Sequence, residues 1–126
     1  MTVEILPVHA DARGGVFEPL APGELAAQRN VHVVLSEPGA VRGNHYHPRG
    51  TEVLSVMGPA LVRTREGDRV ADTEVPAGQV FRFTFPPGVA HAIRNTGTTT
   101  QVLASFNTEP HDPENPDVVR EVLLES

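Results

Sequence analysis

The chain has 126 residues and a mass of 13.5 kDa, which suits one domain built on one core. Its formal net charge is -6 and every basic residue is an arginine, so the clustered basic face that nucleic acid selects is not expected. Without cysteine there can be no disulfide or thiolate ligand, and without lysine there can be no Schiff base or lysine general base.

The first residues, MTVEILPVHADARGG, hold no basic stretch followed by an apolar run, so no secretion signal is read and a cytoplasmic protein is expected. No segment approaches the roughly 20 apolar residues a membrane span needs. The early run Val3–Leu6 reads as an edge strand able to pair two copies, which predicts a homodimer. Pro22–Asn30 is the single short segment with a helical pattern. Strands rich in β-branched and aromatic residues follow at Val31–Leu35, Thr51–Met57, Ala60–Thr64, Val80–Phe85, His91–Asn95 and Gln101–Asn107.

Turn signals separate them, among them Glu37-Pro38-Gly39, Gly58-Pro59, Glu66-Gly67-Asp68, Pro76-Ala77-Gly78 and Pro86-Pro87-Gly88. Alternation is clearest in Phe81-Arg82-Phe83-Thr84-Phe85, where three aromatics share a face. Pro110–Pro116 is proline-rich and reads as a surface run before a last strand at Val118–Leu123. Twelve prolines and eleven glycines cut the rest into short pieces, which predicts an all-β protein whose sheets close into a barrel.

Chemistry concentrates in two segments. In Gly43-Asn44-His45-Tyr46-His47-Pro48-Arg49-Gly50-Thr51-Glu52, His45 and His47 stand two apart and present both imidazoles to one side. Gly50 lets the chain turn and bring Glu52 back on a neighbouring strand. In the second, the Pro86-Pro87-Gly88 turn aims a strand on which His91, Ile93 and Asn95 share a face. Three imidazoles and one carboxylate make a nitrogen and oxygen donor set for a divalent ion.

These segments resemble the two cupin motifs. His45-x-His47-(x)4-Glu52-(x)5-Gly58 is similar to the first, and Gly78…Pro86-x-Gly88-(x)2-His91-(x)3-Asn95 to the second. The resemblance implies a single cupin double-stranded β-helix, a jelly-roll barrel over residues 1–126 with its motifs at 39–58 and 78–95. It also implies a metal held by His45, His47, Glu52 and His91. Zinc suits that set, and iron, nickel and manganese are compatible with it.

Pro38–His47 and Asp112-Pro113-Glu114-Asn115-Pro116-Asp117 are similar to the C-terminal cupin domain of capsular-polysaccharide epimerase–reductases and to related sugar-nucleotide epimerase/isomerase cupins. Asp11-Ala12-Arg13-Gly14 resembles a segment near the start of the deoxysugar 3,5-epimerases, although the lysine of their catalytic pocket has no counterpart here. The resemblance implies a small-molecule substrate, epimerised or isomerised at a carbon beside a keto group that the metal polarises.

His32 and Tyr46 are the acid/base candidates, and Arg42, Arg94 and Asn95 the candidates for holding substrate. Three other readings stand on the same scaffold: a small polyketide-type cyclase with a pocket of Phe81, Phe83, Phe85 or Phe106, an Fe(II) dioxygenase, and a non-catalytic metabolite-binding cupin.

Overall fold

In a computed structural model that describes residues 1–125, the expected alternation becomes two facing sheets. The strands are β1 (Thr2–Ile5), β2 (His9–Asp11), β3 (Gly14–Val16), β4 (Asn30–Ser36), β5 (Val41–Tyr46) and β6 (Glu52–Met57). They continue as β7 (Ala60–Glu66), β8 (Arg69–Val75), β9 (Val80–Phe85), β10 (Ala90–Asn95), β11 (Gln101–Asn107) and β12 (Val119–Arg120). One five-stranded sheet runs β1-β9-β6-β11-β4 and the other β12-β5-β10-β7-β8, with β2 and β3 forming a separate hairpin. All pairings are antiparallel, and the architecture is the jelly roll that the motifs imply.

Packing explains the register. β6 and β9 set Leu54 opposite Phe83 and Val56 opposite Phe81, and both pairs face the second sheet. Val62, Ile93 and Leu103 complete the core, whose deepest members Phe83 and Val56 are fully buried. A one-residue slip would turn this whole apolar set outward, so the register is strongly fixed. Gly58 opens the turn between β6 and β7, where a Cβ would lie 1.8 Å from the Pro76 carbonyl oxygen. That approach explains the glycine of the first motif.

Some expectations need correction. Pro22–Asn30 forms only a 3-10 turn at Leu25–Ala27, because no residue of the turn is buried and a helix there has no apolar face to pack. The last strand shrinks from Val118–Leu123 to Val119–Arg120, since β5 offers it only two partners. The early segment does form the expected edge strand: β1 pairs with β9 on one side and leaves its other side free. Among the described residues, no helix is long and apolar enough to cross a membrane.

Candidate metal centre

The site begins with an irregularity in β5. Opposite β10, His45 faces His91 while Gly43 faces Ala92, which leaves Asn44 as an extra residue. This bulge carries positive φ at Gly43 (90°) and Asn44 (57°). The Asn44 side chain holds it in place. Its Oδ1 accepts from the backbone N–H of Leu123 (2.8 Å) and Leu124 (3.1 Å), and its Nδ2 donates to the Leu124 carbonyl (2.9 Å). Beyond the bulge, His45 and His47 turn to the inside of the barrel.

Glu52 enters from β6 and His91 from the first turn of β10. One donor atom from each of His45, His47, Glu52 and His91 lies within 4.8 Å of all the others. The imidazole centroids stand 4.9 Å apart for His45–His47 and His45–His91, and 5.7 Å for His47–His91. The structure therefore brings together the four residues that the two motifs single out.

Hydrogen bonds orient three of the four donors, His47, Glu52 and His91. His47 Nδ1–H donates to the Asp117 carbonyl (2.7 Å), so Nε2 faces the centre, where it lies 3.0 Å from Glu52 Oε1. His91 Nδ1–H donates to the Val89 carbonyl (3.0 Å), and the ring stacks on Phe85 at 4.0 Å with 4° between planes. Glu52 Oε2 accepts from the Ser105 hydroxyl, which in turn accepts from Asn107 Nδ2 (3.1 Å). Asp117 also caps the turn between His47 and Glu52, its carboxylate accepting from the N–H groups of Arg49 and Gly50 at 2.8 Å each.

The electrostatics leave the lone pairs of His45 and Glu52 open and favour a proton on His47. Burial drives the His45 imidazole down to about 4, with the neighbouring His91 adding to the effect, which leaves it neutral at pH 7. Burial would raise Glu52, but the His47 and His91 imidazoles outweigh it and hold the carboxyl well below its usual range. Burial also opposes a charge on His47, yet the Glu52 hydrogen bond and charge win and raise it.

One atom stands out as a test of fit. His91 Nε2 is buried and comes within 2.7 Å of Glu52 Oε1, but without the alignment a hydrogen bond needs. A buried ring nitrogen without an aligned partner is costly in a dry site. Three imidazoles and one ionised carboxylate around that nitrogen fit a divalent cation.

His45, His47 and Glu52 form the floor of a cavity of about 290 Å³. Its walls are Asn30 and His32 of β4 on one side and the loop from Asn107 to Val118 on the other. Within that loop, Pro110–Pro116 is exposed as expected and adds His111 and Asp112 to the cavity rim, while Glu109 and Asp117 on either side of that run line the cavity too. No motif marks Glu109 or His111, and although Asp117 closes the Asp112–Asp117 segment, its placement comes from long-range contact with the His47 turn.

Of the acid/base candidates, His32 lies in the cavity wall and Tyr46 does not. Tyr46 alternates outward from its histidine neighbours and packs near the Arg65 guanidinium, 6.0 Å from its ring centre. The substrate-holding candidates also fall elsewhere. Arg42 reaches the Leu35 carbonyl at 3.4 Å, and Arg94 donates to the Glu125 carbonyl. Asn95 is buried at the other end of β10, donating to the Ser36 and Thr99 carbonyls and accepting from the Gly97 N–H. Phe83 and Phe85 belong to the core and Phe106 lies by the Pro19–Leu25 loop, so no phenylalanine lines the cavity.

The sequence profile of the polysaccharide biosynthesis C-terminal domain matches residues 9–119. A UDP-2-acetamido-2,6-beta-L-arabino-hexul-4-ose reductase from Pseudomonas aeruginosa is 33% identical over 115 residues, which are 89% of this chain and 30% of that protein. The capsular polysaccharide assembling protein CapF from Staphylococcus aureus superposes with a TM-score of 0.67 at 30% identity, over 93% of this chain and 33% of CapF. The chain thus spans about a third of the length of these two relatives. The sugar 3,4-ketoisomerase QdtA from Thermoanaerobacterium thermosaccharolyticum, at 19% identity, shares the fold with a TM-score of 0.70 over 95% of this chain and 87% of its own.

Proposed function

The chain belongs to the polysaccharide biosynthesis C-terminal domain family, and on that premise we propose that it is an isomerase or epimerase acting on a keto-sugar. One observation carries the reading: three members of the four-donor cluster, His45, His47 and Glu52, line one cavity with His32, an imidazole that no hydrogen bond engages among the described residues. A divalent ion held by His45, His47, Glu52 and His91, zinc being the best match to the set, would supply Lewis-acid polarisation of a carbonyl and so acidify the neighbouring C–H.

His32 is the group placed to take that proton. It sits on β4 opposite Ser105 of β11, on the cavity side of the sheet, with its ring open to a ligand. The C–H electron pair moves into the enolate and the proton passes to the imidazole. Return of a proton to the opposite face gives an epimer, and return to the neighbouring carbon gives an isomer. Asn30 lines the same wall and offers a carboxamide to sugar hydroxyls. The family relation, together with a relative named for a UDP-linked hexulose, supports a nucleotide-linked keto-sugar as the substrate class.

The test is solvent exchange in D2O with metal-loaded protein and a UDP-linked 4-keto-sugar, followed by NMR. Deuterium should enter beside the carbonyl without oxygen consumption. His32→Gln should slow the exchange about 10²- to 10⁴-fold at unchanged metal content. Oxygen uptake without exchange would instead assign a dioxygenase, and full exchange in His32→Gln would remove that residue from the chemistry.

A homodimer belongs to the same proposal, with a different surface from the one the sequence suggests. Val31, Val33 and Leu35 of β4 are 58%, 62% and 59% exposed and form an apolar stripe on a free sheet edge, beside Val102 of β11. Light scattering should give twice 13.5 kDa, and Leu35→Arg should halve it. A monomeric wild type at micromolar concentration would overturn the pairing.

A further inference from the structure

The cavity poses a charge problem for a phosphorylated substrate. Four carboxylates line it, those of Glu52, Glu109, Asp112 and Asp117, and no arginine does. The anionic end of a nucleotide-linked sugar therefore needs a cation outside the cavity proper. Among the described residues, eight of the ten arginines already donate to a carboxylate or a backbone carbonyl. The two left over are Arg69 and Arg120.

Topology separates them. Arg69 starts β8, at the far edge of the five-stranded sheet, whereas Arg120 ends β12, at the edge next to β5. Arg120 stands directly opposite His45 in the β5–β12 ladder. Residues opposed in an antiparallel pair share a face, so Arg120 lies on the cavity side. Its neighbours agree with that placement. Val118, two residues earlier, lines the cavity, while Glu121 pairs with Arg65 beside Tyr46 on the outer face.

We infer that Arg120 is the anion seat of this site: it holds the diphosphate of the substrate at the lip of the cavity while the neutral keto-sugar end lies among the metal-binding residues. The inference rests on the isomerase reading and adds to it the direction in which the substrate enters. The side chain is exposed and, among the described residues, has no acidic partner in a chain of net charge -6, which leaves its guanidinium fork available for a phosphate.

Titration calorimetry with UDP, and with uridine as the uncharged comparison, tests it on the metal-loaded protein. UDP should bind more tightly than uridine. Arg120→Gln should weaken UDP about 10- to 100-fold, leave uridine unchanged, and raise KM with kcat nearly constant. Arg120→Lys should recover part of the loss, and Arg69→Gln should bind as wild type does. Equal UDP affinity in wild type and Arg120→Gln would overturn the seat while leaving the isomerase reading intact. Failure of the wild type to bind UDP at millimolar concentration would also overturn it, and deuterium exchange with the keto-sugar would then judge the isomerase reading separately.

Discussion

His91→Ala should reduce metal in the purified protein from near one ion per chain to well below stoichiometric, as read by elemental analysis. The expectation follows from what His91 does in the proposed centre. Its Nε2 is the buried donor without an aligned partner, and its Nδ1–H is already committed to the Val89 carbonyl. Altering a residue that merely orients a ligand costs about 10- to 100-fold in metal affinity, so loss of a ligand should cost more. His47→Ala should behave alike, because it also deprives Glu52 of a hydrogen bond. His91 stacks on Phe85, and part of any loss could come from packing. His91→Gln keeps much of the volume and separates the two: its fold should survive while its metal is lost. Full metal content in both His47→Ala and His91→Ala would mean that the ligands lie elsewhere.

Gly43→Ala should damage stability and metal binding together. At φ 90° a non-glycine residue costs about 1–3 kcal/mol in strain alone. A Cβ at that position would also lie 2.7 Å from the His91 carbonyl oxygen and 3.3 Å from the Ala92 Cα. Both contacts are backbone, so β5 must move away from β10, and the two strands carry His45 and His91 between them. We expect a fall in melting temperature of roughly 10 °C with a parallel loss of metal. Gly14→Ala is the control: its φ is also positive, at 127°, but a Cβ there meets nothing within 4 Å. Gly14→Ala should lose some stability and keep its metal. Wild-type melting and metal content in Gly43→Ala would show that the close approach of β5 and β10 is dispensable.

How much of this could be read in advance depended on whether the signal was local. Val80–Phe85 was legible to the residue because its phenylalanines are the core itself, and Gln101–Asn107 because its β-branched and aromatic residues favour a strand, although only Leu103 of it joins the core. β8, Arg69–Val75, escaped notice. Its residues are mostly exposed and polar, and only pairing with β7 makes it a strand. The four metal-binding candidates were legible because ladder periodicity and two turn glycines place them. What holds them was not. Asp117 acts on His47 through a backbone carbonyl from 70 residues away, and no residue type announces that. Arg120 was equally silent, since its side of the sheet follows from a two-residue ladder that only the folded chain defines.

The C-terminal segment also sets a timetable. All four candidate donors precede the C-terminal segment in the order of synthesis, so a nascent chain carries the proposed ligand set before it carries Asp117 or Leu124. Until those arrive, the His47 ring lacks its acceptor and the bulge at Asn44 lacks its clamp. Maturation of the centre is therefore a late event on the ribosome's clock. An affinity tag or proteolytic nick between Asn107 and Leu124 would leave a barrel with every ligand present and the pocket unfinished.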